Sequence, residues 1–388
     1  MTEEQSSDGR PGAHIFVRKE HDADETRVAA TPETVKQYIR SGFRVSVEAG
    51  AGAHAAISDE AFQEAGATIV DAQKIGDADI ILAVAPPTPE QVQRVKEGAL
   101  WIGHLAPDLN LPTIRALQER KVEAIAMELI PRISRAQSMD ALSSQANLAG
   151  YKAVLVGAAK SPRLFPLMMT AAGTIRPANV VVLGAGVAGL QAIATARRLG
   201  AIVEVSDVRP AAKEQVESLG GKFIPLPESL VAEGEGGYAR AMTDEEAAEQ
   251  REIVKTRLVK ADLVVTTALV PGRPAPKLIQ EDALKAMKPG AVIVDIASSR
   301  GGNTSHTEDG KEVQVHGVTI IGATNLARSM SVDASALYAR NIKALLGDIA
   351  AEGRVAYDLE DEIVDGALLT FQGEVRHAPT AALLQGDA

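Results

Sequence analysis

Short apolar runs rich in β-branched residues alternate with longer amphipathic segments from Ala13 onward. In the first third of the chain, the runs that we predict as strands are His14–Val17, Phe43–Val47, Asp79–Val84, Leu100–Leu105 and Val122–Met127. The segments between them, which we predict as helices, are Pro32–Ser41 with Thr31 as N-cap, Asp59–Ala65, Thr88–Glu97 and Leu111–Arg120. Alternation of this kind predicts a parallel sheet with helices on both faces.

A second series of the same kind follows Met139–Ala159, a proline-free segment in which apolar residues recur every three or four positions. That spacing predicts a helix, and we expect it to connect two domains. The strands predicted beyond it are Val180–Leu183, Ile202–Val205, Phe223–Ile224, Leu263–Thr266, Val292–Ile296 and Thr319–Ile321, with helices that begin near Gly186, Ala211, Asp244 and Glu281. Ser331–Leu346 then predicts a helix that returns to the first domain, and Ile363–Phe371 predicts short edge strands.

The two series predict an α/β protein of two doubly wound, Rossmann-like domains with parallel sheets and a cleft between them. We expect residues 14–145 and 328–388 to form the outer domain and residues 146–327 to form the inner one. The polar segment 1–13 is predicted to be a disordered tail. Segment 225–242 breaks the alternation with glycines among acidic residues, which is typical of a mobile, functional loop.

Composition and charge exclude several classes of function. The formal net charge of -11 argues against a surface that binds nucleic acid or anionic lipid. The chain has no cysteine, which excludes disulfides, thiolate nucleophiles and cysteine-based metal sites, and we expect no bound metal. The most apolar stretch, Val180–Ala196, contains three glycines and Gln191, so a strand, a turn and a helix explain it better than a membrane span. We therefore expect a soluble chain.

A glycine-rich turn follows the predicted strand Val180–Leu183 and opens a helix that runs to Leu199. The turn reads Gly184-Ala185-Gly186-Val187-Ala188-Gly189. In a dinucleotide-binding fingerprint the first glycine permits the tight turn, the second lets the backbone approach a pyrophosphate, and the third lets helix and strand pack closely. The N–H groups at the start of the helix then face the phosphates.

An acidic residue at the end of the next strand supports this interpretation. Asp207 has the spacing expected of the carboxylate that binds the ribose hydroxyls, with Val208 and Arg209 beside it. Because a carboxylate repels a 2′-phosphate, the sequence favours NAD(H) over NADP(H). The alternative is an ordinary strand–helix turn with a solvated aspartate, and the combination of strand, glycines, helix and acid favours the dinucleotide site.

Two further loops fall at the carboxyl ends of predicted strands, where α/β sheets bind ligands. The first spans residues 266–272, and we assign its Thr266, Ala268 and Leu269 to the dinucleotide site. The second spans residues 295–303. Hydroxyls and glycines in both loops suit close packing against a nicotinamide, and the less favoured alternative for any single residue is ordinary loop chemistry.

Hydrogen-bonding side chains are also dense between residues 128 and 140. Arg132, Gln137 and Asp140 supply a guanidinium, an amide and a carboxylate within nine residues. Such groups can bind a carboxamide and its ribose, and we expect them to face the cleft. The alternative is a helix-capping cluster with a surface ion pair.

These motifs together resemble the soluble NAD(H)-binding component of proton-translocating nicotinamide nucleotide transhydrogenases. The resemblance covers nearly the whole chain from His14 and is carried by the glycine-rich turn and by residues 127–151, 168–174, 213–223 and 266–279. It implies that the nicotinamide end is held by four residues, Arg132, Gln137, Asp140 and Ser143. It also implies that Asp207 binds the ribose and that Tyr238 belongs to a mobile loop that closes on the nucleotide.

The resemblance further implies a homodimer that passes hydride from NADH to NADP⁺ held on a separate NADP(H)-binding subunit. It implies an enzyme, of the Si-specific or the Re/Si-specific class, that is active only with its partners. A membrane-spanning subunit would couple transfer to proton translocation. The chain would lie on the cytoplasmic side of the membrane, attached through its partners and without inserting directly.

Alanine dehydrogenases form the second hypothesis. Their pattern expects a lysine where this chain reads residues 83–86 as Ala-Val-Ala-Pro, and an aspartate where it has Ser299. His104 and Arg27 do match the histidine and the substrate-carboxylate arginine of that pattern. Oxidation of an amine releases a proton and needs an acid or base, whereas hydride transfer between two nicotinamides does not. A non-catalytic NAD(H)-binding regulator is a third hypothesis, and it leaves the Arg–Gln–Asp cluster without a purpose.

Overall fold

The computed structural model of the protein describes residues 11–231, 240, 242–270 and 273–386. The chain forms two structural units, the first from residues up to 145 and from 328 onward, and the second from residues 146–327. Tyr238 lies outside the described residues, as do the other residues of 232–239 and residue 241 of the 225–242 segment. The mobility predicted for that segment and the role of Tyr238 therefore stay predictions.

The chain begins in the first unit with six strands, four complete helices and the start of a fifth. The strands are β1 (His14–Val17), β2 (Arg44–Glu48), β3 (Thr68–Val70), β4 (Ile80–Leu82), β5 (Leu100–Gly103) and β6 (Glu123–Ala126). The helices are α1 (Pro32–Arg40), α2 (Asp59–Glu64), α3 (Pro89–Val92), α4 (Leu111–Glu119) and α5 (Ala141–Lys160), the last of which runs into the second unit. The predicted N-cap, Thr31, accepts a hydrogen bond from the backbone N–H of Thr34 and starts α1.

The second unit contains nine described strands and four further helices. The strands are β7 (Met168–Thr170), β8 (Gly173–Ile175), β9 (Asn179–Leu183), β10 (Ile202–Ser206), β11 (Lys222–Phe223), β12 (Leu263–Thr266), β13 (Val292–Asp295), β14 (Glu312–Val315) and β15 (Val318–Gly322). The helices are α6 (Val187–Arg198), α7 (Ala212–Ser218), α8 (Asp244–Leu258) and α9 (Glu281–Ala286). The chain then returns to the first unit through α10 (Ser331–Ile349), β16 (Ala350–Ala351), β17 (Arg354–Val355), α11 (Glu362–Ala367), β18 (Leu368–Phe371), β19 (Glu374–Val375) and α12 (Ala378–Gln385).

The sheet of the first unit has the strand order β19-β18-β6-β5-β4-β1-β2-β3. Its first six strands along the chain pair in parallel, while β18 pairs antiparallel with β6 and β19 antiparallel with β18. Apolar residues cover both faces: one cluster includes Ile15, Val47 and Ile342, and the other includes Phe16, Trp101 and Leu117. Burial on both faces explains why these strands are continuous apolar runs.

The sheet of the second unit has the order β11-β10-β9-β12-β13-β15-β14. It is parallel except for β14, which pairs antiparallel with β15. The strands that follow β9 along the chain lie first on one side of it, as β10 and β11, and then on the other side, as β12 and β13. Open α/β sheets bind ligands at the strand where the order reverses in this way. The predicted fold class, two α/β domains with mainly parallel sheets, is confirmed.

Two sequence predictions need correction. Gly12 and Ala13 are not part of a disordered tail. The Ala13 N–H donates to the Gly353 carbonyl at 2.8 Å, and the carbonyls of Ala13 and Gly12 accept from the Arg44 N–H and the Arg44 Nε, both at 3.1 Å. Ile363–Phe371 is not a pair of edge strands either. Its first half is helix α11, which the Asp361 carboxylate caps, and its second half is β18, which lies inside the sheet between β6 and β19.

Candidate functional site

The glycine-rich turn lies at the carboxyl end of β9, where the sheet of the second unit reverses. Gly184 has a φ of +100°, a left-handed conformation that favours glycine. A Cβ on Gly189 would lie 1.9 Å from the Gly184 carbonyl oxygen, so a side chain there would force α6 away from the strand. These two glycines serve the turn and the packing that the sequence predicts for them.

Gly186 differs from the other two glycines of the turn. It is the N-cap residue of α6 and has an extended backbone, with φ -76° and ψ -169°. A Cβ built on it would meet no protein atom within 4 Å. The fold therefore does not need glycine here, whereas a pyrophosphate that approaches the backbone does. Val187 and Ala188 follow in the first turn of α6, where N–H groups and the positive end of the helix dipole favour an anion.

Asp207 follows β10, the strand next to β9, and is almost fully buried. Its Oδ2 accepts a hydrogen bond of 2.6 Å from the Ala185 backbone N–H, inside the glycine-rich turn. The Arg209 guanidinium binds both of its oxygens, with Nε at 2.9 Å from Oδ1 and Nη2 at 2.7 Å from Oδ2. Val208, between the two, is half-buried. The turn and the acid are thus fixed to each other by a direct hydrogen bond.

The loop after β12 lies beside the same turn. Thr267 donates from its backbone N–H to the Leu183 carbonyl at 2.9 Å and from its hydroxyl to the Gly184 carbonyl at 3.2 Å. Thr266 is fully buried, Ala268 is partly buried, and Leu269 exposes 41% of its surface. The structure therefore brings the predicted residues of three strand ends together at one edge of the sheet.

Two residues of this edge have no role assigned from the sequence. Asp295 ends β13 and Asn303 lies in the loop that follows, and both are fully buried. The Asn303 side chain binds the backbone of Ala268 and Pro276. The position of segment 295–303 after a strand identifies it as a site loop, but no local signal indicates that this one amide contacts the loop after β12.

The predicted nicotinamide-binding cluster lies in the first unit, between β6 and α5. Arg132 and Gln137 are exposed, the latter in a 3₁₀ helix over Ser134–Met139. Asp140 precedes α5 and caps it: its Oδ1 accepts from the Ser143 N–H at 2.8 Å, and its Oδ2 from the Ser143 hydroxyl at 2.6 Å. The helix-capping alternative therefore describes a real contact of Asp140 and Ser143. A nucleotide-binding role for the four predicted residues remains a prediction.

The same segment carries the ion pair that the capping alternative included. Arg135 binds Asp348 at 3.2 Å and Asp361 at 2.5 Å, and the hydrogen bond from Arg135 to Asp361 raises the pKa of the guanidinium. It anchors the segment to the end of α10 and to the start of α11. Arg132 and Gln137 are thus carried on a segment fixed at two points, by Arg135 and by the Asp140 cap.

Charged side chains at the carboxyl edge of the first unit's sheet are paired with one another. Arg27 is buried and binds both oxygens of the Glu25 carboxylate at 2.7 Å. Its Nη1 donates to Gln145 at 2.9 Å. Arg18 lies 3.6 Å from Glu20, whose carboxylate also accepts from the Val84 N–H at 2.7 Å. Burial raises the pKa of Glu20 despite these contacts.

His104, the second residue shared with the dehydrogenase pattern, also contacts neighbouring side chains. Its Nδ1 lies 3.3 Å from Glu128, and its ring stacks on Tyr338 with 5.2 Å between the centroids. Burial opposes ionisation of Glu128, but the hydrogen bond and charge of His104 outweigh it, so the pKa of this carboxyl lies below its usual range. The Tyr338 hydroxyl donates to the Ala83 carbonyl, within the segment where the dehydrogenase pattern expects a lysine.

A doubly wound sheet with a glycine-rich turn at its reversal point, and an acid fixed to that turn, define a dinucleotide-binding α/β protein. The comparisons make this class more specific. Residues 16–149 match the family model for the N-terminal domain of alanine dehydrogenase/PNT, and residues 153–378 match the model for its C-terminal domain. The chain belongs to the alanine dehydrogenase/PNT family.

Within that family, the more similar relatives are transhydrogenases. The chain is 50% identical over 374 residues to a Rhodospirillum rubrum protein named as the first part of NAD(P) transhydrogenase subunit alpha, with 94% of this chain and 97% of the relative covered. A crystal structure of transhydrogenase from Sinorhizobium meliloti matches with a TM-score of 0.85 and 47% identity, covering 93% of this chain and 99% of that one.

Alanine dehydrogenases are more distant. The enzyme of Methanococcus maripaludis is 28% identical over 379 residues, with 95% of each chain covered. Among the described helices, none has the length and hydropathy of a membrane-spanning segment.

Proposed function

We propose that the second unit binds NAD(H), with the pyrophosphate at Gly186 and the ribose of the adenosine at Asp207. The observation that carries this proposal is the open space at Gly186, beside N–H groups that no side chain caps and beside the close packing of Gly189 that fixes the turn. The residues fit the group, because the backbone can be approached where the phosphates need it. Val187, Ala188, Val208 and Arg209 complete the contacts around the two phosphates and the ribose.

The reaction that we propose is direct hydride transfer between NADH and an NADP⁺ held by a partner component. The chain lacks two groups of the dehydrogenase pattern, because residues 83–86 read Ala-Val-Ala-Pro where a lysine is expected and Ser299 replaces an aspartate. Arg27, which matches the substrate-carboxylate arginine, already binds Glu25. Transfer between two nicotinamide C4 atoms moves no proton at the reacting atoms. The chain then has to bind, orient and exclude water from the ring rather than supply an acid or base.

On the second unit, Ala268 and Leu269 are accessible to the nucleotide, whereas Thr266 is fully buried and is not. The nicotinamide end is assigned to Arg132, Gln137, Asp140 and Ser143 on the first unit. Arg132 and Gln137 are exposed on a segment that Arg135 anchors, and this supports the assigned role. Side chains that bind a ligand must be accessible to it and must be held in position by the surrounding structure. Tyr238 is proposed to close over the bound nucleotide, on the family resemblance alone.

The partners follow from the names of the relatives. The name of the Rhodospirillum rubrum relative describes one piece of one subunit, which implies that its enzyme has further subunits. We propose that this chain likewise acts with an NADP(H)-binding subunit and a membrane-spanning subunit, which couples hydride transfer to proton translocation. It would lie at the cytoplasmic face of the membrane, attached through those subunits.

We also propose that the chain is a homodimer through the hairpin β7–β8. Both strands are exposed along their whole length, and the hairpin presents Leu167, Met168, Met169 and Ile175 with 56%, 41%, 76% and 41% of their surfaces exposed. A contiguous apolar arm of this kind is costly in water and suits burial against another protein surface. A second copy of the chain offers the same arm in return.

A paired assay tests the proposed reaction. NADH binding to the purified chain is followed by fluorescence, and turnover is then measured with pyruvate plus ammonia, and separately with the NADP(H)-binding component and an NADP(H) substrate. We expect binding by the chain alone and turnover only after the partner component is added. Turnover with pyruvate and ammonia alone would make the chain a dehydrogenase, and binding without turnover in either arm would favour the regulator.

A further inference from the structure

Asn303 makes three hydrogen bonds with its side chain, all to backbone groups near the dinucleotide site. Its Oδ1 accepts from the Ala268 N–H at 3.1 Å, and its Nδ2 donates to the carbonyls of Ala268 at 2.8 Å and Pro276 at 2.9 Å. The two bonds to Ala268 imitate the pairing of a neighbouring strand. Because Asn303 is fully buried, loss of its amide leaves backbone groups of Ala268 and Pro276 without their partners.

The backbone of Asn303 is itself fixed by Asp295. The Oδ2 of this buried carboxylate accepts from the Asn303 N–H and from the Thr307 hydroxyl, both at 2.6 Å. Gly302 has a φ of +76°, and a Cβ on it would lie 2.4 Å from the Thr307 side chain and 2.6 Å from Asp295 Oδ2. Glycine before Asn303 thus lets the carboxylate reach the backbone that presents the amide.

The loop that Asn303 binds is held from its other side by the glycine-rich turn. Thr267 donates to the carbonyls of Leu183 and Gly184, while Asn303 binds the next residue, Ala268. The segment Thr266–Leu269 is therefore fixed between the turn proposed to bind the pyrophosphate and a buried amide on the far side. Its position is set by contacts that do not include the nucleotide.

We infer that Asn303 is a positioning residue for hydride transfer. It holds the Thr266–Leu269 loop, and this loop in turn sets the position of the nicotinamide ring. The inference rests on the proposed function, in which this loop lies against the nicotinamide half. It assigns Asn303 no contact with the nucleotide. Because hydride transfer depends steeply on the distance and angle between donor and acceptor, a shift of about 1 Å in the ring costs on the order of 100-fold in rate. Affinity depends mainly on Gly186 and Asp207, which Asn303 does not touch.

The test compares Asn303→Ala and Asn303→Asp with the control Thr304→Val. Asn303→Asp keeps the shape and the acceptor but loses the two donated hydrogen bonds. Thr304 is equally buried and adjacent, and its hydroxyl pairs with the Thr307 hydroxyl and the His306 N–H rather than with the loop after β12. The measurements are the Tm, the Kd for NADH, the fluorescence lifetime of bound NADH, and the transfer rate with the NADP(H)-binding component.

For both Asn303 variants we expect transfer to fall at least tenfold, with the Kd for NADH within about threefold of wild type and a changed lifetime of the bound ring. Thr304→Val should change the transfer rate and the lifetime by less than about twofold. Equal losses in Thr304→Val, or a Kd that rises as much as transfer falls, would overturn the inference. Failure of both Asn303 variants to fold beside a folded Thr304→Val would also overturn it, since Asn303 would then serve the fold.

This experiment distinguishes failure of the proposed transhydrogenase function from failure of the positioning role of Asn303. Wild-type protein that transfers no hydride with the partner component contradicts the proposed function. The lifetime comparison needs no turnover, because it reports the surroundings of the ring in the binary complex. An unchanged lifetime in both Asn303 variants would therefore contradict the positioning role even in that case.

Discussion

The two units carry parallel sheets of the same kind, but their carboxyl edges are built differently. The edge of the second unit includes two backbone turns, the glycine-rich turn and the loop after β12, and a Cβ on Gly186 would meet no protein atom within 4 Å. The edge of the first unit consists of charged side chains that bind one another, such as Arg27 with Glu25 and His104 with Glu128. The edge of the second unit thus includes the uncapped start of α6 beside open space at Gly186, whereas charged side chains that bind one another line the edge of the first unit.

This difference separates two kinds of chemistry on one architecture. Backbone donors and a helix N-terminus suit phosphates and a bound dinucleotide, whose ring does the chemistry. Reduction of an imine or a carbonyl needs in addition a free cation for the substrate carboxylate and a proton donor. In the first unit the arginine that matches the carboxylate-binding position already has a carboxylate, Glu25, at 2.7 Å. The fold is shared with alanine dehydrogenases, and the function follows from the state of these side chains.

The largest effect is expected for Gly189→Ala, which disrupts the glycine-rich turn of the second unit. The added Cβ would lie 1.9 Å from the Gly184 carbonyl oxygen, so α6 must move. Overpacking of this kind costs about 3 kcal/mol, and we expect NADH binding to weaken by more than about 100-fold because the phosphate turn opens. Thermal unfolding and fluorescence titration measure the two effects.

Gly186→Ala is the matched control, since its Cβ would meet no protein atom within 4 Å. We expect its unfolding free energy to stay within about 0.5 kcal/mol of wild type. Its NADH affinity should nevertheless fall at least about tenfold, because the methyl group occupies the approach of the pyrophosphate. Unchanged affinity would remove Gly186 from the site.

Glu25→Gln tests whether the charges of the first unit are structural. Breaking a buried ion pair costs about 3 kcal/mol, so we expect a clear loss in unfolding free energy with NADH binding unchanged. Glu33→Gln is the control, because the pair of Glu33 with Arg340 is exposed and such pairs contribute less than about 1 kcal/mol. Equal effects of the two variants in chemical denaturation would show that the Arg27–Glu25 pair is not important for stability.

Asp207→Ala tests the acid of the second unit. It removes a carboxylate proposed to accept from the ribose hydroxyls and also the hydrogen bond to Ala185. A charge-assisted hydrogen bond is worth about 2 kcal/mol, so NADH affinity should fall about 30-fold. Titration of NADH fluorescence measures the affinity, and the control is Asp282→Ala, which removes an exposed carboxylate in the first turn of α9. Intact affinity in Asp207→Ala would contradict the ribose assignment.

Gln137→Asn is expected to have the smallest effect on binding. The shortened amide withdraws from the proposed carboxamide contact, and we expect transfer with the partner component to fall about tenfold while NADH affinity changes by less than about threefold. Single-turnover kinetics separate the two quantities. Ser138→Ala, the exposed neighbour in the same segment, is the control. Unchanged transfer in Gln137→Asn would exclude this residue from the site.

Features that depend on neighbouring residues are predictable from the sequence. The strand β9, the glycine-rich turn, α6 and the acid after β10 lie within one continuous stretch, and each appears where its pattern indicates. The strands β3 and β14 escape prediction because they are only three and four residues long and contain no fully buried residue. The apolar pattern of residues 363–367 suggests a strand, although Ile363, Val364 and Ala367 are the buried face of a short helix.

Features that depend on distant residues are not predictable in this way. Asn303 contacts Ala268, which lies 35 positions away, and Gln145 contacts Arg27 across 118 positions. Periodicity and spacing report on one element at a time, so they cannot indicate which loops meet at a sheet edge. The charges at Glu25 and Arg27 are visible in the sequence, but their mutual pairing, which occupies the arginine, requires the structure.

We propose that hydride passes from NADH to NADP⁺ and not to an organic substrate. The most direct measurement is a competition in which the chain and the NADP(H)-binding component are given NADH deuterated at C4, together with NADP⁺, pyruvate and ammonia. Mass spectrometry then locates the deuterium. We expect it in NADPH, with none in alanine. Deuterium in alanine would show that the first unit carries out acid–base chemistry on a substrate, and would contradict direct transfer between the two nucleotides.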